Sequence, residues 1–204
     1  MVSEKSALEA VHKQIATCEK CILHRSRVKA VPGVGPEQAS IMFIGEAPGF
    51  HENQQGLPFV GPAGRLLDEL LERIGLRRES VFITNVVKCR PPKNRDPQPE
   101  EIEACRPYLD QQIELLQPKM VITLGRFSMA RYFPNAKISR IHGQPRKIEG
   151  VIYYPMYHPA AALHQPSLRR TVEEDVLKIP ELLAQIDEMA DSKPPEQVEQ
   201  LSLF

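Results

Sequence analysis

The sequence predicts an α/β fold, with a central four-stranded, mainly parallel sheet covered by helices on both faces. Three observations predict it. Short apolar runs end abruptly at a glycine or a polar residue, segments with leucines at helical spacing lie between them, and the two kinds alternate along the chain. Right-handed crossovers of that kind build a sheet buried on both sides. A chain of 204 residues suits one such domain.

The elements follow in order. Residues 6–17 read as a short helix ending at Cys18, and 40–44 (SIMFI) as a buried strand closed by Gly45. Residues 61–74 carry Leu66, Leu67, Leu70, Leu71 and Ile74 on one helical face, with Gly75 as the stop. Residues 81–84 are the second strand. After a loop holding Pro91, Pro92, Pro97 and Pro99 comes a helix over 100–117. Residues 119–124 form the third strand, closed by Gly125, and 126–133 a short helix. The fourth strand spans 151–154, and a last helix over 167–189 is interrupted by Pro180. The expected domain is 1–190, with 191–204 a flexible acidic tail that lacks helical periodicity.

Composition is that of a globular chain, 42% hydrophobic and 25% charged. No apolar run approaches the roughly 18 residues that span a bilayer, so no membrane association is expected. The charged first twenty residues do not form the apolar core of a secretory signal, which points to the cytoplasm. Twenty-six Lys and Arg balance 26 Asp and Glu, but not evenly along the chain. Residues 173–204 hold nine acids and two bases, or −7, which leaves +7 in residues 1–172. The bases cluster at Lys88, Arg90, Lys93 and Arg95, at Arg140, His142, Arg146 and Lys147, and at His164, Arg169 and Arg170. Such clusters on loops mark a phosphate-bearing ligand, or else a solvated surface.

Residues that break periodicity fall just after strands: Gly45-Glu46-Ala47-Pro48-Gly49, Asn85, Gly125-Arg126 and His158-Pro159. In open parallel sheets the crevice beyond the carboxyl ends of the strands takes the ligand, so these loops should meet in one cleft. The glycine-rich stretch from 45 to 61 lacks the Gly-Lys-Ser/Thr ending of a P-loop. Phe59 is either a core plug or a platform for a flat ring. Asn85 either caps a turn or reads the donor–acceptor edge of a base. A lone His such as His158 is more often structural. Cys18 and Cys21 form a C-x2-C pair, with Cys89 and Cys105 further on. Four ordinary thiols, a structural zinc site and an iron–sulfur cluster are all compatible with this pattern, the wide second spacing favouring the cluster.

Together the segments GEAPG, LPFVGPAG, ITNVVKCRPPKNRDP and YHPAAAL, with the four cysteines, closely resemble the family 4 uracil-DNA glycosylases, the iron–sulfur branch of their superfamily. The resemblance runs from about residue 7 to 189. It implies a three-layer α/β/α fold, a 4Fe–4S cluster on Cys18, Cys21, Cys89 and Cys105, and excision of uracil from single- and double-stranded DNA by a monomer of the prokaryotic cytosol or nucleoid. It also implies that Gly45, Glu46 and Ala47 line the uracil pocket, Phe59 stacks on the flipped base, Asn85 reads its amide edge and His158 faces its other carbonyl. DNA contacts are expected from Lys88, Arg90, Lys93, Arg95, Arg140, His142, His164 and Arg169.

One departure stands out. The better-known branch has an Asp in the first loop where this chain has Ala47. Glu46 is the favoured water activator, with Glu52 and Asn53 nearby and a backbone-held water as its rival. A related branch traps the sugar through a His in a longer basic loop after the second strand. CRPPKNRDP has no His, so ordinary turnover is expected, with His142 contacting the DNA backbone or fixing its own loop. The final Gln200-Leu201-Ser202-Leu203-Phe204 looks like the peptide by which bacterial repair proteins bind the sliding clamp. Two other classes compete: a non-catalytic iron–sulfur or zinc nucleic-acid-binding module, and a zinc-stabilised enzyme of free nucleotides.

Overall fold

The computed structural model describes residues 4–191. The expected clamp peptide and most of the acidic tail lie outside them. Among the described residues nine α-helices and five strands run in the order α1 (Glu4–Ala16), β1 (Ile41–Gly45), α2 (Phe50–Gln55), α3 (Pro62–Arg73), β2 (Phe82–Asn85), α4 (Pro99–Leu116), β3 (Met120–Leu124), α5 (Arg126–Ala130), α6 (Ile138–Ile141), β4 (Arg146–Ile148), β5 (Val151–Met156), α7 (Pro159–His164), α8 (Pro166–Val176) and α9 (Ile179–Asp191).

The sheet order is β2-β1-β3-β5-β4, and all pairs are parallel except β4 with β5. The sheet thus has five strands rather than four. The extra one is a three-residue edge strand whose Arg146 and Lys147 hide it from any apolar pattern, and whose charges protect an open edge. It joins β5 through Glu149 and Gly150, both at positive φ (48° and 87°), a two-residue turn matched to strand twist.

Alternate residues of each strand feed two cores. Met42, Ile44, Phe82 and Val121 pack with Leu8, Val11 and Ile15 of α1 and with Tyr108 and Leu109 of α4. Ile41, Phe43, Ile122 and Tyr154 pack with the leucines of α3 and with Val172 and Val176 of α8. This is the three-layer α/β/α arrangement. The last helical segment divides differently from expectation: α8 ends at Val176 and Pro180 lies in the first turn of α9. The ring is tolerated there because first-turn N–H groups have no intrahelical partner.

Parallel pairing sets Gly45 beside Asn85 and Leu124 beside Met156. The loops after β1, β2, β3 and β5 therefore leave the sheet at one edge.

Candidate active site and cysteine cavity

Those loops enclose a cleft of about 580 Å³ that takes in Glu46, Ala47, Phe59, Asn85 and His158. At its floor, a Cβ on Gly45 would stand 2.3 Å from Asn85 Oδ1 and 2.7 Å from the Phe59 ring. Only glycine lets the carboxamide and the ring close over the end of β1. Asn85 is 1% exposed, and its Oδ1 has no hydrogen-bond partner. A buried acceptor left empty costs about 1–3 kcal/mol, which marks a place where a ligand donor belongs.

Asn85 is fixed from behind. The Lys88 Nζ donates to its carbonyl oxygen (2.8 Å), to Thr84 Oγ1 (2.6 Å) and to Gln112 Oε1 (2.7 Å). Gln112 Nε2 in turn donates to the Pro32 carbonyl (2.8 Å). Lys88 is thus 1% exposed and turned inward, which overturns its expected contact with DNA. The four-carbon stem lets a lysine in a basic loop reach back into the core.

Phe59 sits at φ 52°, a left-handed conformation that costs a non-glycine residue about 1–3 kcal/mol. Arg78 holds it there, donating to the Phe59 carbonyl (2.9 Å) and to that of Pro58, with Asp68 anchoring the guanidinium at 2.9 Å. Gly64 makes room, since a Cβ there would fall 1.8 Å from the Phe59 oxygen. The Phe59 ring stacks on His158, centroids 5.5 Å apart and planes 23° apart. His158 caps α7, and its Nδ1 accepts from the Ala160 N–H at 3.1 Å. Desolvation pushes the imidazole down to about 4, against a weaker pull from Glu52. The ring is therefore neutral at physiological pH, and the bond to Nδ1 assigns its proton to Nε2.

Glu46 stands in the cleft, half-buried. Burial raises its pKa, Asp96 adds to the rise and Arg126 opposes it. Glu52 and Asn53 are committed elsewhere. The Glu52 carboxylate accepts from the N–H groups of Gly49 (3.1 Å), Val60 (2.9 Å) and Gly61 (2.8 Å), stitching the two halves of the glycine-rich stretch together. Asn53 Oδ1 accepts from the Val28 N–H at 2.9 Å.

The expected DNA-contacting residues divide. Lys93 and Arg140 are exposed. Arg90 lies over the ring of Phe50 at the cleft rim. Arg95 makes a two-pronged bond with buried Glu101 (2.9 and 2.6 Å), and Arg169 pairs with Glu69 and Glu173. His142 Nδ1 lies 2.7 Å from Asp175 Oδ2, a buried carboxylate that also meets Lys178. That pairing ties its loop to α8. His164 falls in α7. Leu163, 38% exposed, lines the same cleft as His158.

The sequence reading places Glu52 near Glu46 but gives no role to Gly64 or Arg78. Gly49-x-x-Glu52 has the spacing of half a capping box and was legible. Arg78, about twenty residues from the carbonyls it holds, gives no local signal.

Cys18, Cys21, Cys89 and Cys105 line one small apolar cavity behind the cleft, with Tyr108 and Arg27. Three donors already point at their sulfurs: Lys20 N–H to Cys18 (3.5 Å), Arg27 to Cys89 (3.3 Å) and Lys88 N–H to Cys105 (3.3 Å). Burial pushes the Cys21 and Cys89 thiols up and that of Cys105 to about 11, with Arg27 and Lys88 partly opposing at the latter two. Among the described residues, no three Cys, His, Asp or Glu side chains come together closely enough to hold one metal ion.

The fold and this cleft define a protein of the uracil DNA glycosylase superfamily, whose family model matches residues 32–182. Over 186 residues the chain is 49% identical to the type-4 uracil-DNA glycosylase of Sulfurisphaera tokodaii, covering 86% of this chain and 84% of the relative. It is 48% identical to that of Archaeoglobus fulgidus (86% and 93% covered) and 42% to that of Thermotoga maritima (87% and 95%). The chain belongs to the type-4 uracil-DNA glycosylase family.

Proposed function

We propose that this chain flips uracil out of DNA and hydrolyses its N-glycosidic bond, leaving an abasic site. The empty Asn85 Oδ1 carries the reading. Uracil N3–H would donate to it while the Asn85 amide donates to uracil O4. Cytosine presents a bare N3 and an amino group instead, leaving polar groups unpaired on both sides. Phe59 would stack on the base, and the Gly45 floor leaves little room for the methyl of thymine.

As the bond from C1′ to N1 breaks, its electron pair passes to the base and charge spreads onto O2. The neutral His158 would donate from Nε2 to that oxygen. A water held by the Glu46 carboxylate adds to C1′, giving its proton to Glu46. Extrusion costs a few kcal/mol, less where uracil is unpaired, and Leu163 is the apolar side chain available to fill the vacated stack.

The cysteine cavity fits a 4Fe–4S cluster on Cys18, Cys21, Cys89 and Cys105. All four donors are thiols lining one cavity, and N–H groups already face three of the sulfurs. Bound there, it would cross-link the turn after α1, the loop after β2 and α4. Broad absorbance near roughly 400 nm is expected of the purified protein. We take residues 1–190 as the domain and 191–204 as its tail, with residues 200–204 as a tether to the sliding clamp and the protein as a cytoplasmic monomer. No helix among the described residues is long and apolar enough to cross a membrane. Deleting 200–204 should abolish clamp binding and spare excision.

Alkaline strand scission of single-uracil oligonucleotides, single- and double-stranded, tests the activity. Cutting of neither sinks it.

A further inference from the structure

We propose that Phe50, with Arg90, forms a second nucleotide subsite at the cleft rim, which stacks the unpaired base next to the flipped uracil in single-stranded DNA. The inference rests on the excision activity proposed above and extends that site by one nucleotide.

Phe50 is the first residue of α2, directly after the first pocket loop, and its ring is 52% exposed. Phe59, Gly45 and Asn85 are buried, whereas Phe50 and the neighbouring His51 are exposed. Phe50 lines the same cleft, so a strand with its uracil against Phe59 and Asn85 runs out past it. The guanidinium of Arg90 lies 5.3 Å from the Phe50 ring centroid, and the His51 ring meets it edge-on at 5.5 Å. Arg90 Nε is committed to Asn94 Oδ1 at 2.7 Å, and its two Nη groups take no protein acceptor among the described residues. One corner of the rim thus offers a ring for a base and a cation for its phosphate.

That pairing is the chemistry of sequence-tolerant single-strand binding, in which any base offers a face to stack. Specificity for uracil stays with Asn85, while the rim adds affinity without reading sequence. In a duplex the neighbouring bases remain stacked on one another, so the subsite favours single strands.

The test measures kcat/KM of the full-length protein on single-stranded uracil oligonucleotides, intact or with an abasic analogue on the 5′ or the 3′ side of the uracil. Phe50→Ala should lower kcat/KM about tenfold on the intact strand, mostly through KM. On one of the two abasic substrates the loss should shrink below about twofold, because the unsubstituted protein has lost the same contact. Phe50→Tyr should retain activity, and the loss on duplex substrate should be smaller. Equal losses on intact and both abasic strands would make Phe50 a structural residue and overturn the subsite. So would no loss at all. If the unsubstituted chain cut no substrate, the glycosylase reading itself would fail, which is a different outcome from either.

Discussion

The ring of Phe59 and the imidazole of His158 lie 5.5 Å apart at 23°, so the two side chains form one packed pair in the lining of the cleft. Neither orients alone. Phe59 is held at φ 52° by Arg78, and His158 is capped onto α7 by its own Nδ1. Removing Arg78 should therefore act on both. Arg78→Ala is expected to cost about 2 kcal/mol of stability, since charged hydrogen bonds are worth about 1.5–3 kcal/mol each. It should also cut kcat/KM by more than about tenfold. Arg78→Lys should not rescue it, because one ammonium does not reproduce the fork that reaches two carbonyls and Asp68. Thermal melts and single-turnover excision read the two effects.

Asn85 separates function from stability. Its buried Oδ1 accepts no hydrogen bond within the protein, so removing it takes no such bond from the free fold. Asn85→Ala should lower uracil excision about 10²-fold or more and leave the melting temperature of the free protein unchanged or slightly raised. A marked fall in melting temperature would mean that the oxygen is satisfied within the protein.

The pH profile follows from two shifts in opposite directions, each caused first by burial, which disfavours the charged form. His158 is pushed down to about 4, so it stays a neutral donor over the physiological range and gives no inflection near 6.5. Glu46 is pushed above its usual 4.5, first by burial and then by Asp96. As a base it works only when ionised, so the rate should fall as pH drops through that raised value. Glu46→Gln should lower the rate about 10²-fold, the low end for general-base help, and abolish this acid limb. An unchanged rate would leave the water to backbone groups.

The legible part of this protein was whatever repeats or punctuates. Buried strands and the leucine face of α3 show in short windows, and the strand-end loops show because Gly45, Asn85 and His158 interrupt them. That the loops share one cleft followed from parallel topology alone. What stayed hidden depends on contacts between distant residues: Arg78 reaching Pro58 and Phe59, and Glu52 joining 49 to 61. The edge strand β4 carries too few apolar residues to register. Lys88 misled for a physical reason, since a sequence shows the charge of a lysine but not the direction of its stem.

That inward turn gives the sharpest test of the basic loop. Each Lys or Arg that neutralises a DNA phosphate steepens the salt dependence of binding by about one counterion. Arg90→Ala should flatten the slope of log Kd against log salt by about 0.7 on single strands. Lys88→Met should leave the slope unchanged, although the two residues stand two apart in the same loop. Its effect belongs to the fold, because Thr84 Oγ1 and the Asn85 carbonyl lose the ammonium donor and Gln112 Oε1 keeps only a long contact from Thr84 Oγ1 (3.5 Å). Each buried acceptor left unpaired costs about 1–3 kcal/mol, so a large fall in melting temperature is expected. Uracil excision should fall with it, since the backbone of Asn85 is no longer pinned. A flattened salt slope in Lys88→Met would put the ammonium on the DNA after all.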